Sequence, residues 1–164
     1  MGKPRTTTDI DIIIQPSPQI ADQLINAFKK GGFDVLEEQI RSAFQEGYNA
    51  SIYVPNSVIR IDLKLARKLD EREVLEQAKN ATYKNTKFKI ASVEQILYGK
   101  ILYLGDISDL EDSELLDFND AKDFVNVYNT VPKFDIQWLE QKVKQKGLQK
   151  TLNRLIKVAK QRLV

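Results

Sequence analysis

The sequence predicts an α/β (α+β) fold: a mixed sheet with flanking helices over residues 1–91, followed by a helical segment over residues 92–164. Three patterns carry this expectation. In residues 57–65, Ile59, Ile61, Leu63 and Leu65 alternate strictly with Arg60, Asp62 and Lys64, the period of a half-buried strand. The run Thr8-Asp-Ile-Asp-Ile-Ile-Ile14 places Asp9 and Asp11 on one face of a second strand and Ile10, Ile12 and Ile14 on the other. From Ser92 onward the apolar spacing becomes helical, with Ile96, Leu97, Ile101 and Leu104 along one face.

The elements follow in order. Pro16 and Pro18 end the first strand and open a helix over about 18–30, with Ile20, Leu24, Ala27 and Phe28 as its apolar face. Gly31-Gly32 reads as the stop of that helix. Residues 33–36 form a short strand or turn, and a second helix covers 37–46. Residues 48–54 form a strand that turns at Pro55-Asn56 into its hairpin partner, 57–65. Residues 70–79 are helical, and the loose alternation of Tyr83, Phe88 and Ile90 suggests one more strand over 81–90. Ser92 with Gln95 three positions on is a capping-box spacing. Helices then run over 92–105, 112–129, 135–146 and 148–162, punctuated by Pro132 and Gly147.

Composition narrows the chemistry. At 164 residues the chain suits one domain with an appended helical part. It contains neither cysteine nor histidine, which excludes disulfides, thiolate sites, histidine bases and every Ser–His or Cys–His arrangement. Any catalysis must use carboxylates, lysine, tyrosine or metal-bound water. No apolar run reaches the ~18 residues of a membrane span and no signal peptide is visible, so a cytoplasmic protein without membrane contact is expected. The net charge of +2 is unevenly spread. The charged residues of 106–123 are all acids apart from Lys122, and those of 130–164 are all bases apart from Asp135 and Glu140. One reading is two solvated surfaces that partly compensate; the other is a basic tail that attracts RNA or an acidic partner.

Asp9 and Asp11 are the most informative residues. On one strand they lie about 6.6 Å apart, and two neighbouring carboxylates repel each other unless a cation lies between them. If the strand bearing Asp62 pairs with theirs, three carboxylates face one another. Oxygen-only donors of this kind favour Mg2+ or Mn2+, and such a set can hold two ions about 3.5–4 Å apart. The alternative for Asp62 is a simple charge pair with Arg60 or Lys64.

Residues 2–12, Gly-Lys-Pro-Arg-Thr-Thr-Thr-Asp-Ile-Asp-Ile, resemble the Gly-x-Pro-Arg-x-Thr-x-Asp-Ile-Asp segment of the nucleotidyltransferase superfamily. The likeness is greatest to its minimal prokaryotic branch, which includes abortive-infection toxins. Residues 32–35 are similar to the family's turn into its second strand, residues 90–100 to its Ala-Ser-x-Glu-x-Leu-x-x-x-Lys helix, and residues 119–123 to the acidic helix that follows. The resemblance implies that Asp9, Asp11 and Asp62 are catalytic and bind Mg2+ or Mn2+. It implies a nucleoside triphosphate as substrate, with Arg5, Thr7, Lys100 and Asp120 at its phosphates. It also implies transfer of a nucleoside monophosphate to a hydroxyl acceptor on protein, RNA or a small molecule. The family carries a Gly-Gly or Gly-Ser pair ahead of the Asp dyad, where backbone N–H groups cradle the triphosphate; this chain shows none before Asp9. Three expectations stand side by side: a start further upstream, a partner chain such as an antitoxin that completes the fold, or a binding protein that has lost the chemistry.

Overall fold

The computed structural model describes residues 8–17 and 19–162. The chain is a mixed α+β protein that divides between Ala78 and Lys79 into two compact units. The hairpin of residues 79–90 groups with the helices that follow it.

The first unit, Pro4–Ala78, is built on a three-stranded sheet. Its elements are β1 (Asp9–Ile14), α1 (Ile20–Lys30), α2 (Glu37–Glu46), β2 (Ala50–Tyr53), β3 (Arg60–Leu65) and α3 (Leu69–Gln77). The strand order is β1-β3-β2; β1 runs parallel to β3, and β2 runs antiparallel to it. Strand alternation sorts the side chains. Ala50, Ile52, Ile61 and Leu63 are buried in a core with Ile25 of α1 and with Ile40 and Ala43 of α2. Ile12 and Ile14 pack against that core, but Ile10, also expected inside, stays about half exposed near the outer end of β1. Along α1 the apolar stripe is Ala21, Ile25 and Phe28, an i, i+4, i+7 set, while Ala27 is exposed. The helix ends as its glycines suggest: Gly32 has φ +79°, and the Phe33 N–H donates to the Phe28 carbonyl at 3.0 Å. Residues 33–36 contribute only a single bridge, Asp34 to Tyr53.

The second unit opens with an antiparallel hairpin, β4 (Lys79–Tyr83) and β5 (Thr86–Ile90). The sequence pattern suggested one strand here. Lys84 and Asn85 both take positive φ, 44° and 67°, which makes the two-residue turn that splits it. Helices α4 (Val93–Leu104), α5 (Asp112–Leu115), α6 (Asn119–Thr130), α7 (Ile136–Gln145) and α8 (Gln149–Gln161) enclose a core that includes Leu97, Ile101, Leu115, Phe124, Leu139 and Leu155. The capping box forms: Ser92 Oγ accepts from the Gln95 N–H at 3.3 Å, and Gln95 Oε1 accepts from the Ser92 N–H at 2.9 Å. The single helix expected over 112–129 is instead α5 and α6. A continuous helix turns about 100° per residue, so it would point Leu115 and Phe124 in opposite directions. The break, with extended backbone at Phe118, lets both enter one core. Among the described residues, no helix is long and apolar enough to cross a membrane.

Candidate functional site

The face of the β1-β3-β2 sheet opposite the core carries Asp9, Asp11, Arg60, Asp62 and Lys64. In the parallel pair Asp11 lies directly beside Asp62, and Asp9 beside Arg60. On the antiparallel side Ser51 lies beside Asp62 and Tyr53 beside Arg60. Neighbouring strands are about 4.8 Å apart, so Asp9, Asp11 and Asp62 occupy adjacent positions on one surface. This arrangement follows from period-two alternation in two strands together with a register that aligns their acidic positions.

Asp9 and Asp11 are exposed; the Asp62 side chain is only 24% exposed and has two partners. Ser51 Oγ donates to Asp62 Oδ1 at 2.6 Å, and Arg60 Nη2 pairs with Asp62 Oδ2 at 2.9 Å. Lys64, the other base on this face of β3, pairs with Glu71 of α3 at 3.3 Å. The Glu71 carboxylate also accepts from the Arg67 and Lys68 N–H groups, both at 2.9 Å. Burial opposes its charge, but these two backbone bonds and Lys64 together hold its pKa below the ordinary glutamate value.

The three carboxylates offer hard oxygen donors only, the set that suits Mg2+ or Mn2+, and they hold adjacent places in the sheet. Among the described residues, no group of three or more His, Cys, Asp or Glu side chains stands poised to hold a metal. Both Asp62 oxygens are instead engaged by Ser51 and Arg60.

Lys100 and Asp120 belong to the helical unit. Lys100 Nζ, on α4, donates to Asp120 Oδ1 at 3.0 Å and to Asp123 Oδ2 at 2.7 Å, both on α6. The lysine side chain is 21% exposed. Burial disfavours the ammonium, yet the bonds from Asp123 and Asp120 outweigh it and raise the Lys100 pKa above its ordinary value. Arg5 and Thr7 lie outside the described residues.

Two partners escaped the sequence reading. Asp123 could have been found, because it lies three residues after Asp120 and shares its helix face. Ser51 could not, since its place beside Asp62 depends on the β2–β3 register. The acidic and basic segments do partly compensate. Asp112 pairs with Arg154 at 2.9 Å and with Lys157 at 2.8 Å. Lys144, Lys150 and Lys160 remain exposed.

In comparisons with known proteins, no family model and no curated protein matches the chain. The likeness to nucleotidyltransferases rests on the motifs alone.

Proposed function

We propose that this protein is a metal-dependent nucleotidyltransferase that moves a nucleoside monophosphate from a nucleoside triphosphate to a hydroxyl acceptor. The observation that supports this reading most is the register of β1 on β3, which sets Asp11 beside Asp62 with Asp9 on the same face. Asp9, Asp11 and Asp62 hold Mg2+ or Mn2+. Bound there, such ions would supply the positive charge that favours the attacking alkoxide and the departing pyrophosphate. Asp62, less exposed than the other two, takes the proton of the acceptor hydroxyl. The phosphates fall to Arg5 and Thr7, as the family likeness implies; Lys100 shares its charge between Asp120 and Asp123 of its own unit. Such chemistry belongs in the cytoplasm, where triphosphates and magnesium are plentiful, and RNA is among the acceptors to be tried. The test is Mg2+-dependent transfer of label from an α-32P nucleoside triphosphate. Asp11→Asn should abolish transfer, and undiminished transfer by the variant refutes the assignment.

A second reading is favoured by the contacts of Asp62. A carboxylate already satisfied by Ser51 and Arg60 suits a protein that keeps the sheet without the reaction and acts with a partner chain, as in a toxin–antitoxin pair. Thermal shift with Mg2+ and each triphosphate separates the two, because a ligand that binds only the folded state must raise the melting temperature. No shift with any triphosphate favours the partner-chain reading.

A further inference from the structure

We infer that Arg60 is a built-in counter-cation of the carboxylate face, which competes with a divalent ion for Asp62. The inference rests on the metal-binding reading above and names what regulates that site. Arg60 precedes Asp62 by two residues in β3, so both side chains leave the same face. Its guanidinium pairs with Asp62 Oδ2, and its register partner on β1 is Asp9. Lys64, the other base on this face of β3, is occupied by Glu71. A divalent ion at Asp62 Oδ2 would meet this guanidinium in its place. The guanidinium must move aside, and a side chain that is 45% exposed has room to do so. Ser51 meanwhile grips the other oxygen of Asp62 and holds the carboxylate in place. Arg60 therefore steadies the acids while no metal is bound, and metal binding releases a positive charge beside them. Arg60 is a positioning residue in this scheme.

An ion pair this exposed sets a modest barrier. Its removal should change a dissociation constant about two- to fivefold. The test is Mn2+ binding to the full chain, followed by the electron paramagnetic resonance signal of free Mn2+ at low ionic strength. Arg60→Gln should bind Mn2+ about two- to fivefold more tightly than the wild type, Arg60→Lys should match the wild type, and Asp11→Asn should weaken binding in either background. A readout on the unaltered protein does not depend on how well the variants fold. Adding Mg2+ should speed hydrogen exchange at the Arg60 Nη2 group, which pairs with Asp62, as the guanidinium leaves it. Binding that Asp11→Asn weakens, together with equal or poorer affinity in Arg60→Gln, overturns the role of Arg60 and leaves the metal site standing. Arg60→Lys behaving like Arg60→Gln, or Nη2 exchange indifferent to Mg2+, overturns that role as well. Absence of Mn2+ binding in both wild type and Arg60→Gln, or binding indifferent to Asp11→Asn, overturns the metal reading and this inference together.

Discussion

Replacing Lys100 with methionine keeps the length of the apolar stem and removes the cation that Asp120 and Asp123 share. Two charge-assisted hydrogen bonds, at 3.0 and 2.7 Å, disappear. Each is worth about 1.5–3 kcal/mol when shielded from water, and the partial exposure of the three side chains reduces that. The two acids left behind lie three residues apart on one helix and repel by a few tenths of a kcal/mol. The expected loss is about 2–3 kcal/mol. With a urea dependence of about 1 kcal/mol per molar for a small unit, the unfolding midpoint should fall by roughly 2–3 M. Trp138 is the only tryptophan in the chain and packs edge-on against Tyr98, with ring centroids 6.0 Å apart, so its fluorescence reports this unit alone. Removing the charge of both acids with Asp120→Asn and Asp123→Asn in the Lys100→Met background should recover part of the loss. The sign with pH follows from the raised pKa. The Lys100 contribution is fully present below the ordinary lysine value of 10.5 and disappears as pH rises through the higher folded value. The gap between wild type and variant should therefore hold from neutral pH to about pH 10 and close above it. A variant that unfolds within ~0.3 kcal/mol of wild type at neutral pH would refute the structural role and free Lys100 for a phosphate.

Other outcomes follow from single contacts. Thr151 is fully buried and its Oγ1 donates to the Gly105 carbonyl at 2.8 Å, so Thr151→Val should cost about 1–3 kcal/mol by the same fluorescence assay. Glu71 has a lowered pKa, so its stabilising contribution is present above the ordinary glutamate value of 4.5 and is lost as pH falls through the folded value. Glu71→Gln should thus flatten the acid limb of the melting-temperature profile, measured by circular dichroism; a wild-type slope in the variant would contradict this.

Local signals in the sequence were read well where one residue type has one physical reason to be there. The alternation around Asp62, the Ser92 capping box and the glycine stop after α1 all appear at the expected residues. The turn at Lys84-Asn85 was missed because it lacks the glycine that usually announces positive φ. The break between α5 and α6 was missed because the helical period continues through it; only the shared core makes Leu115 and Phe124 incompatible with one helix. The same division holds for the site. Two-residue spacing set the three acids on strand faces, but that β1 runs parallel to β3 with Asp11 level with Asp62 is a matter of tertiary pairing. So is the choice of Arg60, rather than Lys64, as the base that meets Asp62; α3 supplies the glutamate that draws Lys64 away.

The segment between α4 and α5 has little regular structure of its own, yet one side chain from α8 fastens it. The Arg154 guanidinium donates to the Ile107 carbonyl, to the Leu110 carbonyl at 2.5 Å and to Asp112 Oδ1 at 2.9 Å. A planar fork serves several acceptors in different directions; an ammonium group is a single point of charge. Randomising the exposed positions of this loop should thus be well tolerated. Position 154, by contrast, should accept no substitute in such a library, lysine included, because the loop's shape is specified from the far end of the chain.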